Sequence, residues 1–223
     1  MGNIEQQRAI SPFVAILAVV ATFLLFLFAG SFIYVLAGTG PMLVFGELLL
    51  IVVPLVLMLS KKIDIRRYVG IEVTPKYLLL GIAFGVILLF VDVVMTGVLV
   101  SIFGTSNAIE ESNQLIAEVS SSPEGLIFVV LSLFLTGICE EFTFRGFLQT
   151  SINGKYPFWV ALITSSLAFG VTHFDPQGIY IISAFVMGLM LGFIYHHWHS
   201  YVVSAAAHST MNLIILALML FVP

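Results

Sequence analysis

The chain has 223 residues, 60% of them hydrophobic and 9% charged, with a net charge of −4 and a mean hydropathy of +1.14. A soluble domain carries roughly 25% charged residues, so a water-soluble globular protein is excluded, as is a nucleic-acid partner that needs a basic footprint. No segment alternates polar and apolar residues as a transmembrane barrel would, which leaves an all-α polytopic membrane protein forming a single membrane domain over residues 1–223.

Proline marks the helix starts. Pro12, Pro41, Pro75, Pro123, Pro157 and Pro176 each precede or open an apolar run, at a position where the missing N–H costs nothing. Ser11, Thr74 and Ser122 add a capping hydroxyl directly upstream of three of them. The pattern predicts about seven transmembrane helices, over residues 12–37, 41–60, 76–103, 124–150, 157–174, 177–198 and 200–222. Three of these form an N-terminal group over 12–103. Pro54 lies inside the second and predicts a kink there. The first run is too long for a signal-peptide core and has no clear cleavage site, so it reads as a retained helix.

Arg8, then Lys61, Lys62, Arg66, Arg67 and Lys76, then Lys155 fall in alternate connections, and the others hold no Lys or Arg. The positive-inside rule then places the N-terminus in the cytoplasm and the C-terminus outside. The eighth basic residue, Arg145, lies within the fourth span. In the longest outer connection, 104–124, Glu110, Glu111 and Glu118 are interspersed with Ile109, Leu115, Ile116 and Val119. That connection is either a short amphipathic helix on the membrane or a solvated acidic loop. No internal repeat is present, which weakens an inverted-repeat transporter fold.

The fourth span carries Glu140, Glu141 and Arg145 where lipid tails are expected. A charge at that depth costs about 3 kcal/mol or more, so such residues face a polar cavity or one another. Glu141 and Arg145 are four apart and share a helix face, and pairing lowers the burial penalty of both. Glu140 is rotated about 100° from Glu141 and has no partner on its own helix. A lone carboxylate in an apolar cavity has the chemistry of a general base. The pair of glutamates therefore divides into a base and a member of an ion pair.

Two later spans carry polar pairs one turn apart, Phe169 with His173 and His208 with Asn212. Helical rise sets Glu140, His173 and His208 about 15, 24 and 12 Å from the inner ends of their spans. A common layer therefore requires the fifth span to start deeper in the headgroups. His196, His197 and His199, among Tyr195, Trp198 and Tyr201, read as an interfacial belt. Cys139, the single cysteine, reads as a small packing residue without an activating base. Glu47 and Asp92 read as buried acids satisfied by neighbouring helices, with a cavity-lining role as the alternative.

Glu-Glu-x-x-x-Arg (Glu140-Glu141…Arg145), Phe-x-x-x-His (Phe169…His173) and His-x-x-x-Asn (His208…Asn212), in this order on separate helices, resemble the CAAX prenyl endopeptidase and bacteriocin-processing (CPBP, Abi-type) family of intramembrane proteases. The resemblance covers residues 124–216, a CPBP-like catalytic core; the first three helices match in hydropathy only. It implies an endopeptidase of the cell membrane, a multi-pass protein with a cavity open to the cytoplasm and inner leaflet. Its partners would be the lipid bilayer and a membrane-anchored, CAAX-type prenylated peptide or protein. By position, Glu140 would activate water, His173 would hold it, His208 and Asn212 would stabilise the oxyanion, and Glu141 and Arg145 would support the site. Two chemistries stay open on these residues. Glu140, His173 and His208 form a His₂Glu set suited to Zn²⁺ or another divalent metal. Metal-free water activation is preferred, because the chain has no His-Glu-x-x-His helix. The competing functions are an ion- or proton-coupled transporter using Glu47, Asp92, Glu140 and Glu141, and a non-catalytic immunity or scaffold protein of the same fold.

Overall fold

A computed structural model describes residues 10–221; Arg8 and the end of the last expected span, at 222, lie outside the described residues. Helices account for the architecture: α1 Pro12–Ala37, α2 Thr39–Ser60, the short α3 Ile65–Val69, α4 Pro75–Phe103, α5 Asn107–Val119 and α6 Pro123–Glu141. A π-helical segment, π1 Phe142–Gln149, continues α6 into α7 Thr150–Asn153, followed by α8 Phe158–Thr172, α9 Ile179–Trp198 and α10 Tyr201–Phe221. No strand occurs among the described residues.

The starts follow from proline and capping chemistry. Ser11, Thr74 and Ser122 each accept from the amide three residues on, at 3.4, 3.2 and 3.0 Å, ahead of a proline in the first turn. Each cap satisfies an amide that the helix itself cannot. The connection over 104–124 forms a helix rather than a loop, α5, capped by Ser106 and with no buried residue.

Among the described residues six helices are long and apolar enough to cross a bilayer, α1, α2, α4, the continuous Pro123–Asn153 rod, α9 and α10, and the chain is a multi-pass integral membrane protein. The expected fifth span, 157–174, differs. α8 has 15 residues, about 22 Å of helix against a hydrocarbon core of about 30 Å. It ends because His173 leaves helical geometry, at φ −92° and ψ 58°. Pro176 accordingly sits in a loop, and α9 begins only at Ile179. Lys76 lies over the Trp198 ring at 5.8 Å, and Arg67 shares a cavity with His196 and His199. The basic residues and the histidine belt thus occupy one end of the bundle, the end that charge asymmetry assigns to the cytoplasm.

Small residues let the helices approach. A Cβ on Gly81 of α4 would lie 2.9 Å from the Val203 carbonyl oxygen, and one on Gly85 would lie 2.7 Å from that of Ala207. In lipid, where apolar burial gives no drive for association, such close backbone contact does. Gly137 of α6 is the critical case, since a Cβ there would lie 2.9 Å from the Ala205 carbonyl oxygen and against Ser209. The Ser209 hydroxyl donates to Phe134 O at 2.8 Å and the Tyr201 hydroxyl to Ile138 O at 2.8 Å. α10 is therefore held against the stretch of α6 that precedes the two glutamates. Gly137→Val should push these helices apart and destabilise the protein by about 1–3 kcal/mol, read as a lower melting temperature in detergent; an unchanged melting temperature would contradict this packing.

Candidate active site

The site is built where α6 becomes π1. Glu141 ends the α-helix and Arg145 lies in the wider π turn that follows. Every residue of Phe142–Gln149 is buried. π turns occur mostly as local insertions at functional sites, and here the segment carries a charged side chain wholly inside the bundle.

Glu141 and Arg145 are both 0% exposed, and Arg145 Nη1 is 2.7 Å from Glu141 Oε1. Arg145 Nη2 donates to Gly188 O of α9 at 3.1 Å, and the guanidinium lies 4.5 Å from the centre of the Phe169 ring. The same Glu141 Oε1 faces His208 Nδ1 at 3.2 Å. One carboxylate oxygen thus holds a guanidinium and an imidazole, and through them fixes α8, α9 and α10 around α6. A buried ion pair repays its desolvation only when the geometry is good and hydrogen bonds serve the remaining atoms. The Phe169 ring face and the Gly188 carbonyl supply part of that environment for Arg145, while Arg145 Nε and Glu141 Oε2 stay buried without a hydrogen-bond partner among the described residues.

Glu140 takes the role left over. Its Oε2 is buried with no hydrogen-bond partner among the described residues and lies 3.8 Å from His208 Nε2. His208 therefore stands between the two glutamates. With Nδ1–H directed at Glu141, its Nε2 carries a proton toward Glu140 only as an imidazolium. His173, one residue past α8, has Nδ1 2.9 Å from Phe169 O. A carbonyl accepts, so Nδ1 holds the proton and Nε2 is left as an acceptor.

Phe169 connects the two histidines of the later spans. Its ring lies between them, with its centroid 5.9 Å from that of His208 and 4.7 Å from that of a tilted His173. Phe144 closes the packing edge-on at 5.2 Å. Sequence pattern alone assigns Phe169 no task of its own. The signal was present in its four-residue spacing from His173, but the Arg145 contact comes from another helix. Asn212 is half-buried, one turn beyond His208 on α10, and no hydrogen bond ties its amide to the cluster among the described residues.

The other intramembrane acids also reach this region. Ser132 of α6 donates to Leu43 O, and Thr143 of π1 donates to Leu50 O. Glu47 of α2 lies between those two anchor points, in electrostatic contact with Glu140 and hydrogen-bonded to Thr136; its Oε2 is buried and unpartnered. Asp92 of α4 accepts from Ser183 of α9 at 3.0 Å. Cys139 is buried. His196 stacks on Phe158 at 3.8 Å and His197 on Phe193 at 6.1 Å, the packing of an aromatic belt.

Among the described residues no three His, Cys, Asp or Glu side chains are arranged to hold one metal ion. His208 holds Nδ1 against Glu141 and directs Nε2 at Glu140, an orientation that a metal-binding imidazole also adopts.

Residues 122–214, which contain all three motifs, match the family described as Type II CAAX prenyl endopeptidase Rce1-like. This segment is Rce1-like. Over 63 residues the chain is 33% identical to an uncharacterized protein of Mycoplasma capricolum subsp. capricolum, covering 28% of this chain and 18% of that one. Over 119 residues it is 25% identical to the "Putative membrane peptidase YdiL" of Bacillus subtilis (strain 168), covering 53% of this chain and 47% of that one. The chain thus matches less than half the length of each of these curated relatives. No solved structure matches it.

Within the Rce1-like segment the Glu141–Arg145 pair is the element most sensitive to mutation. Arg145→Ala leaves a carboxylate buried and short of its cation, and should destabilise the protein by about 3–5 kcal/mol, measured as a loss of folded protein on heating in detergent. A variant as stable as the parent would mean that the pair does not hold the bundle.

Proposed function

We propose that this chain is an intramembrane endopeptidase that hydrolyses a peptide bond of a membrane-associated substrate, using water activated by Glu140. The Rce1-like family is one of proteases, which supports proteolysis as the reaction class. The observation that carries the chemistry is the Glu140 carboxylate. It is enclosed, its Oε2 makes no hydrogen bond, and it is the polar group beside His208 that the Arg145 pair leaves uncommitted.

In this reading Glu140 accepts a proton from the attacking water as the water oxygen bonds to the scissile carbonyl carbon. His173, with Nδ1–H committed to Phe169 O, offers Nε2 as an acceptor that orients the same water. The carbonyl becomes an oxyanion, and Asn212 with protonated His208 supplies donors to it. When the carbon–nitrogen bond breaks, the proton held on Glu140 passes to the departing amine. Glu141 and Arg145 take no proton; they set the angle of His208. The bilayer delivers the substrate, and a prenylated CAAX-type peptide is the class we assign, with its lipid anchored in the leaflet and its peptide in the cavity.

Glu140→Gln should abolish cleavage of a prenylated CAAX peptide in proteoliposomes while the melting temperature stays within the error of wild type. Asn212→Ala should lower kcat by about 10²–10³-fold, the usual loss for one oxyanion donor. Full activity of purified Glu140→Gln protein would end this reading. Exhaustive chelation should leave activity intact; loss restored by Zn²⁺ would instead assign Glu140, His173 and His208 to a metal. Ion flux that depends on Glu47 and Asp92 and ignores Asn212 would favour a transporter.

A further inference from the structure

The turn between α8 and α9 is built with more care than a connection requires. Asp175 is 2% exposed although it lies in a loop. Its Oδ1 accepts the Gln177 amide at 3.0 Å and its Oδ2 the Tyr180 amide at 2.8 Å. The Ile179 amide and the Ser106 hydroxyl, at the start of α5, bond to it as well. Burial raises the Asp175 carboxyl, but these hydrogen bonds outweigh it and hold the group below the usual carboxylate range. It therefore serves as a charged cap for α9, whose N-cap residue is a glycine, Gly178, at φ +79° with no side chain to do so.

The cap fixes where the second residue of α9 points. The Tyr180 ring packs edge-on against His173, with centroids 5.0 Å apart and planes at 73°. The charge that most affects its hydroxyl is Glu140, ahead of Asp92 and Glu47. One turn on, Ser183 is spent on Asp92. Among the described residues the Tyr180 hydroxyl has no hydrogen-bond partner, unlike those of Tyr68, Tyr195 and Tyr201. Tyr180 is half-buried, and an aromatic hydroxyl without a protein partner in an apolar setting is open to one from a ligand.

Apart from the Asn212 amide, the groups around Glu140 offer few neutral donors. Glu140 is an acceptor, His173 presents an acceptor nitrogen, and the Nδ1–H of His208 is committed to Glu141. A developing oxyanion needs the opposite. We propose that Tyr180 is a further catalytic residue, its phenolic O–H donating to the tetrahedral oxyanion, and that Asp175 is the residue that positions it. This rests on the proteolytic reading above. The hydroxyl keeps its proton throughout, shortening its hydrogen bond as the carbonyl oxygen gains charge and relaxing when the carbon–nitrogen bond breaks.

Tyr180→Phe keeps the ring against His173 and removes the donor alone. In proteoliposomes with a prenylated CAAX peptide, Y180F should lower kcat by about 10²–10³-fold, with KM within about threefold of wild type and no change in melting temperature. Asp175→Ala should lower kcat in the same direction, and should have little further effect when added to Y180F, because both act on one hydroxyl. Glu140→Gln is measured alongside. A Y180F enzyme as active as wild type beside an inactive E140Q overturns this proposal and leaves the proteolytic reading standing. Equal cleavage by wild type and E140Q overturns both.

Discussion

A guanidinium with no exposed surface inside a lipid-facing bundle sets the terms for everything around it. Arg145 cannot shed its proton at any ordinary pH, so the fold has to bring it an anion, a carbonyl and an aromatic face. Glu141, Gly188 O and Phe169 supply these from its own rod, α9 and α8. Because Glu141 also holds His208, the same pair connects α10. Four helices are thereby tied to one buried charge, and none can shift without exposing it to hydrocarbon. The arrangement that makes the charge tolerable also gives the site its rigidity.

That rigidity separates the chemistry of two adjacent glutamates. Glu141 commits Oε1 to Arg145 and His208, whereas Glu140, rotated around the helix, meets no cation on its own rod; each keeps an Oε2 without a hydrogen-bond partner among the described residues. Preorganisation of this kind matters more for catalysis than the identity of the groups, because dipoles that are already aimed need not reorganise during reaction. Glycine serves the same end by a different route. Gly137 admits α10 to backbone contact one turn before Glu140, and only at that spacing can an imidazole from α10 reach both carboxylates.

The N-terminal helices support this core. α2 is pinned to the rod by Ser132 and Thr143, whose hydroxyls reach the Leu43 and Leu50 carbonyls, and it brings Glu47 to the level of Glu140. At the opposite end from the basic residues, Asp175 draws α5 and α9 together through Ser106 and the Tyr180 amide. The turn that ends α8 short of a full crossing thus delivers two rings, His173 and Tyr180, to one place.

Much of this is legible in the residues. Hydrophobic run lengths, proline positions and capping hydroxyls locate the helices to within a few residues, because each is a local property of backbone and water. The Glu141–Arg145 pair follows from four-residue spacing on one helix, and the isolation of Glu140 from the same geometry. What the sequence could not contain is any distance between helices. The shortness of α8, the π turn after Glu141, the use of Phe169 as a platform for Arg145, and the arrival of Tyr180 beside His173 depend on how tilted rods pack. That packing is decided by small residues and buried charges acting together over the whole bundle. The chain by itself determined which groups are chemically able; the tertiary structure decided which are left free to act, since a buried polar group is available only when no neighbour has already satisfied it.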